Sequence, residues 1–123
     1  MIKEFTININ EDQLTNIKSK VEHYPWSSIE NMKAWTYGTN KKYLKELCDY
    51  WLKEFNWKKH EQLINSFKNY KTNVDGIDIH FIKEEGSGEN PKTLLLLHGW
   101  PGSVVEFLEI IKPLAHPEKF GGN

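Results

Sequence analysis

Hydrophobic and polar positions change their period several times along this 123-residue chain, and each change marks an element. Phe5, Ile7 and Ile9 alternate with polar residues, the pattern of a short strand or extended arm. The period then lengthens. Asn10 reads as a helix N-cap, Gln13 completes a capping box, and Leu14, Ile17, Val21 and Tyr24 follow at helical spacing until Pro25. Residues 26–39 have mixed polarity and no clean period, and read as an irregular segment pinned by Trp26, Trp35 and Tyr37. A second helix is predicted from Thr39 or Asn40, with Tyr43, Leu44, Leu47, Cys48, Trp51, Leu52 and Phe55 as its apolar stripe. A third is predicted from Lys58, with Leu63, Ile64 and Phe67 inward.

Beyond Phe67 the chain changes character. Residues 71–75 and 77–83 flank Asp75-Gly76, the two-residue signal of a tight hairpin, and Ile77, Ile79 and Phe81 share one face of its second strand. Residues 84–92 read as a surface loop by composition. Residues 93–97 (Thr-Leu-Leu-Leu-Leu) are apolar almost throughout, as expected for a strand buried in a parallel sheet. Ser103 and Glu106 then make a second capping-box pair, and Val104, Phe107, Leu108 and Ile111 fit a helix that Pro113 and Pro117 are expected to end. Helices, then a hairpin, then strand–turn–helix is the opening of an α/β sheet rather than its completion. A buried strand needs neighbours, so the chain is expected to be the front part of a larger, truncated fold.

Composition narrows the function classes. The 38% hydrophobic content is low for a globular chain, but five Trp, five Tyr and six Phe offset it with large burial areas and argue against extended disorder. A net charge of −1 lacks the basic footprint of a nucleic-acid binder, and all sixteen basic residues are Lys, so the bidentate arginine fork is absent. A single cysteine, Cys48, cannot form an internal disulfide and favours a reducing compartment. The N-terminus has no apolar core of a signal peptide, and the longest apolar run covers only residues 94–97. A soluble, cytoplasmic chain is expected.

The segment with chemical content is His98-Gly99-Trp100-Pro101-Gly102-Ser103. It is a tight turn leaving the C-terminal end of an apolar strand, where ligands of open α/β sheets bind. Its two glycines allow close approach of the backbone to a ligand, and backbone N–H groups there can face a developing negative charge. Trp100-Pro101 is a candidate cis peptide. Any strand-to-helix turn also favours Gly and Pro, so the motif alone leaves a purely structural turn open.

The ordered series of motifs resembles the N-terminal part of epoxide hydrolases of the microsomal and juvenile-hormone type, within the α/β-hydrolase fold. The resemblance runs through Pro25-Trp26, Tyr37-Gly38, Tyr43-Leu44, Leu47, Tyr50-Trp51, Phe55 and Trp57. It continues through Leu63-Ile64-Asn65, Phe67, Asp75-Gly76, Ile79-His80-Phe81, and the run from Leu95 through the turn to Glu106-Phe107. It implies an epoxide hydrolase N-terminal region over residues 2–112, with a helical wrap at 2–70, first strands and oxyanion turn at 71–112, and the start of a truncated catalytic core at 113–123. It implies that the Trp100 backbone N–H supplies half of an oxyanion hole, with His98, Gly99, Pro101, Gly102 and Ser103 supporting the turn. In that family an aspartate opens the epoxide, lid tyrosines protonate the oxygen, and a histidine–carboxylate pair activates water against the resulting ester. The implied substrate is a lipophilic epoxide, with no cofactor, no metal and no nucleic acid. The nucleophile turn of Gly-Gly-Asp-Trp type does not occur in these residues, and Gly121-Gly122-Asn123 is only superficially similar to it. The chain alone is therefore expected to be inactive.

Other residues have plainer readings. His98 suits a structural hydrogen bond at the turn. His60-Glu61 begins a zinc-protease pattern, but Ile64 stands where the second histidine is needed. His23, His80 and His116 are dispersed and read as surface or half-buried groups. Cys48 reads as a buried, inert thiol on the second helix, and the aromatics between Trp35 and Trp57 read as packing. Asp75 is explained by its turn. Two other functions stay open: a non-catalytic module that packs on a hydrolase partner or binds a lipophilic ligand, and an α/β-hydrolase acting on esters or haloalkanes.

Overall fold

A computed structural model describes residues 1–27, 35–36 and 38–122. The chain divides into two compact units, Met1–Ile7 with Lys58–Asn123, and Asn8–Trp57. Residues 28–34 and Tyr37, within the segment expected to be irregular, lie outside the described residues, as does Asn123.

The Asn8–Trp57 unit is built on two helices that pack on each other, α1 (Glu11–Glu22) and α2 (Lys41–Lys53). Both start as anticipated. The Asn10 side chain accepts a hydrogen bond from the Gln13 N–H at 2.8 Å, and Asn40 accepts one from the Tyr43 N–H at 3.1 Å, satisfying donors that a helix start leaves open. The α1 helix ends at Glu22 with His23 as its cap, before Pro25 is reached. The stripe of α2 splits into two faces. Leu44, Cys48, Leu52 and Phe55 are half-buried, whereas Tyr43, Leu47 and Trp51 of the same stripe are exposed. Cys48 is thus only partly covered, not fully buried as expected. Trp35 tilts against Tyr43 with ring centroids 5.2 Å apart, and Trp26 stacks edge-on with Tyr24 at 5.0 Å beneath the Lys45 ammonium. These aromatics pack on one another.

The other unit carries helix α3 (Trp57–Asn65) and a three-stranded antiparallel sheet, β1 (Lys3–Glu4), β2 (Asn69–Val74) and β3 (Ile77–Ile82), with β2 in the middle. The hairpin forms at Asp75-Gly76, whose φ angles of 50° and 86° are the paired left-handed values that match strand twist. Asn73 braces the turn: its side chain accepts from the Gly76 N–H at 3.0 Å and donates to Asp78 at 2.9 Å. The N-terminal alternation holds for Phe5, Ile7 and Ile9, each half-buried between exposed neighbours, although the regular ladder stops at Glu4. Past it, the Asn65 amide takes the place of a strand neighbour, accepting from the Ile7 N–H at 2.9 Å and donating to the Ile7 carbonyl at 2.8 Å. Of the three residues expected to face inward from α3, Ile64 and Phe67 are buried, but Leu63 is exposed because it falls on the outer side of the last turn.

Asn69 is a polar hub of this unit. It is buried, and its amide donates to the carbonyls of Ile64 and Phe67, both at 2.8 Å. Its oxygen accepts from His80 Nε2 at 2.9 Å, which places the proton on that ring nitrogen. Glu61 is also buried and pairs with Lys58 at 3.0 Å, so the His60-Glu61 sequence has a structural explanation. Among the described residues, no cluster of three metal-ligating side chains occurs.

Candidate functional site

The chain reaches the turn through residues 93–97, and here the strongest strand expectation fails. These residues form no regular secondary structure and pair with no strand among those described, and Leu95 and Leu97 are 76% and 78% exposed. The cause lies in the ladder. A strand exists by pairing, and apolar composition cannot supply the partner.

A groove of about 890 Å³ is lined by residues 79–83 and 92–98, with Val104, Phe107, Ile111 and Leu114 contributing apolar surface. The β3 register fixes which backbone groups of that strand are paired. Val74 closes the turn opposite Ile77, and Lys83 donates to the Lys68 carbonyl at 3.0 Å, so the odd-numbered positions of β3 bond to β2. The backbone N–H and C=O groups of Asp78, His80 and Ile82 therefore face away from β2.

At the end of this segment, Gly99 to Gly102 form a four-residue turn closed by a 2.7 Å hydrogen bond from the Gly102 N–H to the Gly99 carbonyl. The Trp100–Pro101 bond is cis. A Cβ on Gly102 would lie 2.9 Å from the Gly99 carbonyl oxygen and 1.5 Å from Glu106 Oε1, whose flexible side chain can move, so a side chain there strains the turn mainly through the carbonyl. Gly99 differs: a Cβ on it would meet nothing within 4 Å. Trp100 is 95% exposed, and no group among the described residues accepts a hydrogen bond from its N–H. His98 Nδ1 donates to the Gly99 carbonyl at 3.2 Å from an exposed position.

Ser103 caps the following helix, but not as a capping box. Its hydroxyl accepts from the Val105 N–H at 3.3 Å, while the Glu106 N–H goes to the Ser103 carbonyl at 3.1 Å. This bonding winds residues Val104–Phe107 as a tighter 3-10 turn, and α4 (Leu108–Ala115) follows. Pro113 lies inside α4 rather than ending it. The carbonyl it leaves without a helical donor belongs to Glu109. A second short 3-10 turn, Pro117–Lys119, closes the helix as expected.

The charged groups near this region have ordinary causes. Burial, and then the Lys71 charge across the ladder, push the His80 imidazole below the usual histidine range, so it stays neutral. Its ring meets Phe5 edge-on at 5.3 Å. His116 Nε2 lies 3.1 Å from Glu84 Oε1. The Asn69–His80 contact joins the adjacent strands β2 and β3 across eleven residues, and no local sequence pattern marks it.

Helices leading into a hairpin, an apolar segment and a tight glycine turn capped by a helix define the front of an α/β architecture. Residues 2–107 match the family described as the epoxide hydrolase N terminus, and the chain belongs to that family. It is 35% identical to epoxide hydrolase 1 of Oryctolagus cuniculus over 98% of this chain and 27% of that one. The epoxide hydrolase structure of Aspergillus niger aligns at a TM-score of 0.80 and 31% identity, over 91% of this chain and 30% of that one. The juvenile hormone epoxide hydrolase of Bombyx mori aligns at 0.78 and 33%, over 91% and 27%. The fold is thus the N-terminal part of an α/β-hydrolase fold, and the chain spans between a quarter and a third of the length of these relatives. No helix among the described residues is long and apolar enough to cross a membrane.

Proposed function

We propose that this chain supplies the N-terminal region of an epoxide hydrolase whose complete form hydrates a lipophilic epoxide to a vicinal diol. In that reaction an aspartate of the catalytic core attacks an epoxide carbon, the carbon–oxygen bond breaks, and lid tyrosines protonate the departing oxygen. Water activated by a histidine–carboxylate pair then adds to the ester carbonyl, and collapse of the tetrahedral intermediate releases the diol and restores the aspartate. The Trp100 N–H donates to the oxyanion of that second step, and His98, Gly99, Pro101, Gly102 and Ser103 hold the turn that presents it. Residues 2–70 wrap the core, residues 71–112 open its sheet, and the groove beside β3 receives a strand of it. Alone, the 123 residues turn over no epoxide, because they carry no aspartate on a nucleophile turn.

The observation that carries this reading is the family match across residues 2–107, which includes the whole turn. The geometry supports it at two points. The Trp100 N–H has no acceptor among the described residues, as a donor awaiting an oxyanion would. Gly99 has open space where a side chain would stand, so nothing local demands a glycine, whereas a ligand approaching the backbone would.

The test is a chimera in which residues 1–122 replace the matching region of the Aspergillus niger enzyme. Hydration of styrene oxide by the chimera, and none by the 123-residue chain alone, is the expected result. Trp100→Pro, which removes the N–H, should slow ester hydrolysis by about a hundredfold while leaving ester formation intact. A folded chimera without diol formation, or a Trp100→Pro variant with undiminished hydrolysis, would overturn the reading.

A further inference from the structure

Asp75-Gly76 is the chain's only Asp-Gly or Asn-Gly step, and both residues are exposed at the tip of the hairpin. Such a step carries a chemistry of its own. The nitrogen after an aspartate can attack that aspartate's side-chain carboxyl, and glycine presents no side chain to hinder the approach. The surroundings of Gly76 are open as well, since a Cβ there would meet nothing within 4 Å. What stands in the way is a hydrogen bond. The Gly76 N–H donates to Asn73 Oδ1 at 3.0 Å, and the nitrogen must leave that bond before it gives up its proton. Asn73 is itself held, donating to Asp78 Oδ1 at 2.9 Å, and the two are register partners in the ladder.

We propose that Asp75 is a site of isoaspartate formation and that the Asn73 side chain restrains it by holding the Gly76 N–H. In the first step the Gly76 nitrogen bonds to Asp75 Cγ. Its proton and the hydroxyl of the carboxyl leave as water, and a cyclic succinimide forms. Water then adds to one of the ring carbonyls. Opening at Cγ restores the aspartate, whereas opening at the main-chain carbonyl leaves the backbone running through Cγ with the α-carboxylate free. The mass is unchanged, and no oxidant, reductant or cofactor takes part. The product carries an extra methylene in the main chain of a two-residue turn. That turn sets the register of every pair from Val74 opposite Ile77 to Asn69 opposite Ile82, so the ladder loosens from its closed end. Residues 79–82 of β3 also line the groove, which carries the change to that wall. The site holds or fails independently of the epoxide hydrolase reading.

The test ages the 123-residue chain in neutral buffer and digests samples with trypsin. The 72–83 peptide is scored for its isobaric isoaspartyl form and for methyl transfer from S-adenosylmethionine by an isoaspartyl methyltransferase. Asn73→Ala removes the acceptor and should form isoaspartate roughly two- to tenfold faster, the factor that one hydrogen bond corresponds to. Asn73→Asp also loses the donor to Asp78 but keeps an oxygen for the Gly76 N–H, and should stay near the unaltered rate. The pair of variants therefore isolates the Gly76 bond from any general loosening of the hairpin. In urea, where the hairpin is open, all three chains should react alike, and Asp75→Glu should silence the signal throughout. Equal native rates for Asn73→Ala and the unaltered chain would overturn the proposal. So would an Asn73→Asp rate as fast as that of Asn73→Ala, a difference that persists in urea, or a signal that survives Asp75→Glu.

Discussion

The β2–β3 hairpin and residues 93–97 carry equally strong strand signals, yet only one of them pairs. In the hairpin, all six register pairs lie within fourteen residues, and a two-residue turn fixes which positions meet. Residues 93–97 are more apolar but have no ladder partner among the described residues, and their leucines stand largely exposed. Apolar composition states that a segment wants burial, whereas pairing needs a second edge at the right place. The hairpin brings its own second edge. The other segment lines a groove together with residues of β3.

The largest expected effect comes from breaking the hairpin's polar support. Asn69→Ala strips the Ile64 and Phe67 carbonyls and His80 of their partner, and leaving such groups unsatisfied costs about 3 kcal/mol in total. Urea midpoints followed through amide signals of β2 and β3 would record it. By contrast Leu95→Thr, at a position 76% exposed, should change stability by less than about 0.5 kcal/mol. A large loss from Leu95→Thr would mean that residues 93–97 are already packed and that the contrast between the two regions is wrong.

Glycines separate the regions next. Gly76 has φ +86°, so Gly76→Val forces a β-branched residue into the left-handed region and should cost about 2 kcal/mol. Gly102→Ala brings a Cβ to 2.9 Å from the Gly99 carbonyl, a strain of about 1 kcal/mol if bond angles absorb it. Gly99→Ala meets nothing within 4 Å and should be neutral within about 0.5 kcal/mol. Comparative melting of the three variants gives the order directly, and a destabilised Gly99→Ala would remove the argument that its space is kept for a ligand.

What could be read from sequence follows the same division. The caps at Asn10 and Asn40, the Asp75-Gly76 turn and the glycine turn at 99–102 depend on residues within four positions of each other, and all of these formed. The Asn65 amide bonding Ile7 acts across 58 residues, and no local pattern encodes it. Pro113 was expected to end its helix, yet α4 runs two residues past it to Ala115, so its lost donor and crowded carbonyl disturb only the final turn. The turn was legible as a candidate site, but its Trp100 N–H has no acceptor among the described residues, so the role proposed for it draws on the family resemblance rather than on contacts.

The smallest expected effect is a pH dependence confined to the hairpin. His80 has a folded pKa below its unfolded value, so between the two the unfolded chain binds the extra proton. Stability from this source is full above about pH 6.5, the unfolded value, and drains as the pH falls through the lower folded value. His80→Gln keeps a donor for the Asn69 oxygen but cannot titrate, so urea midpoints read from β2 and β3 amides should lose their acid-side decline in this variant. A decline that persists in His80→Gln would assign the acid sensitivity to another group and remove His80 from the account of why the hairpin, unlike residues 93–97, is self-sufficient.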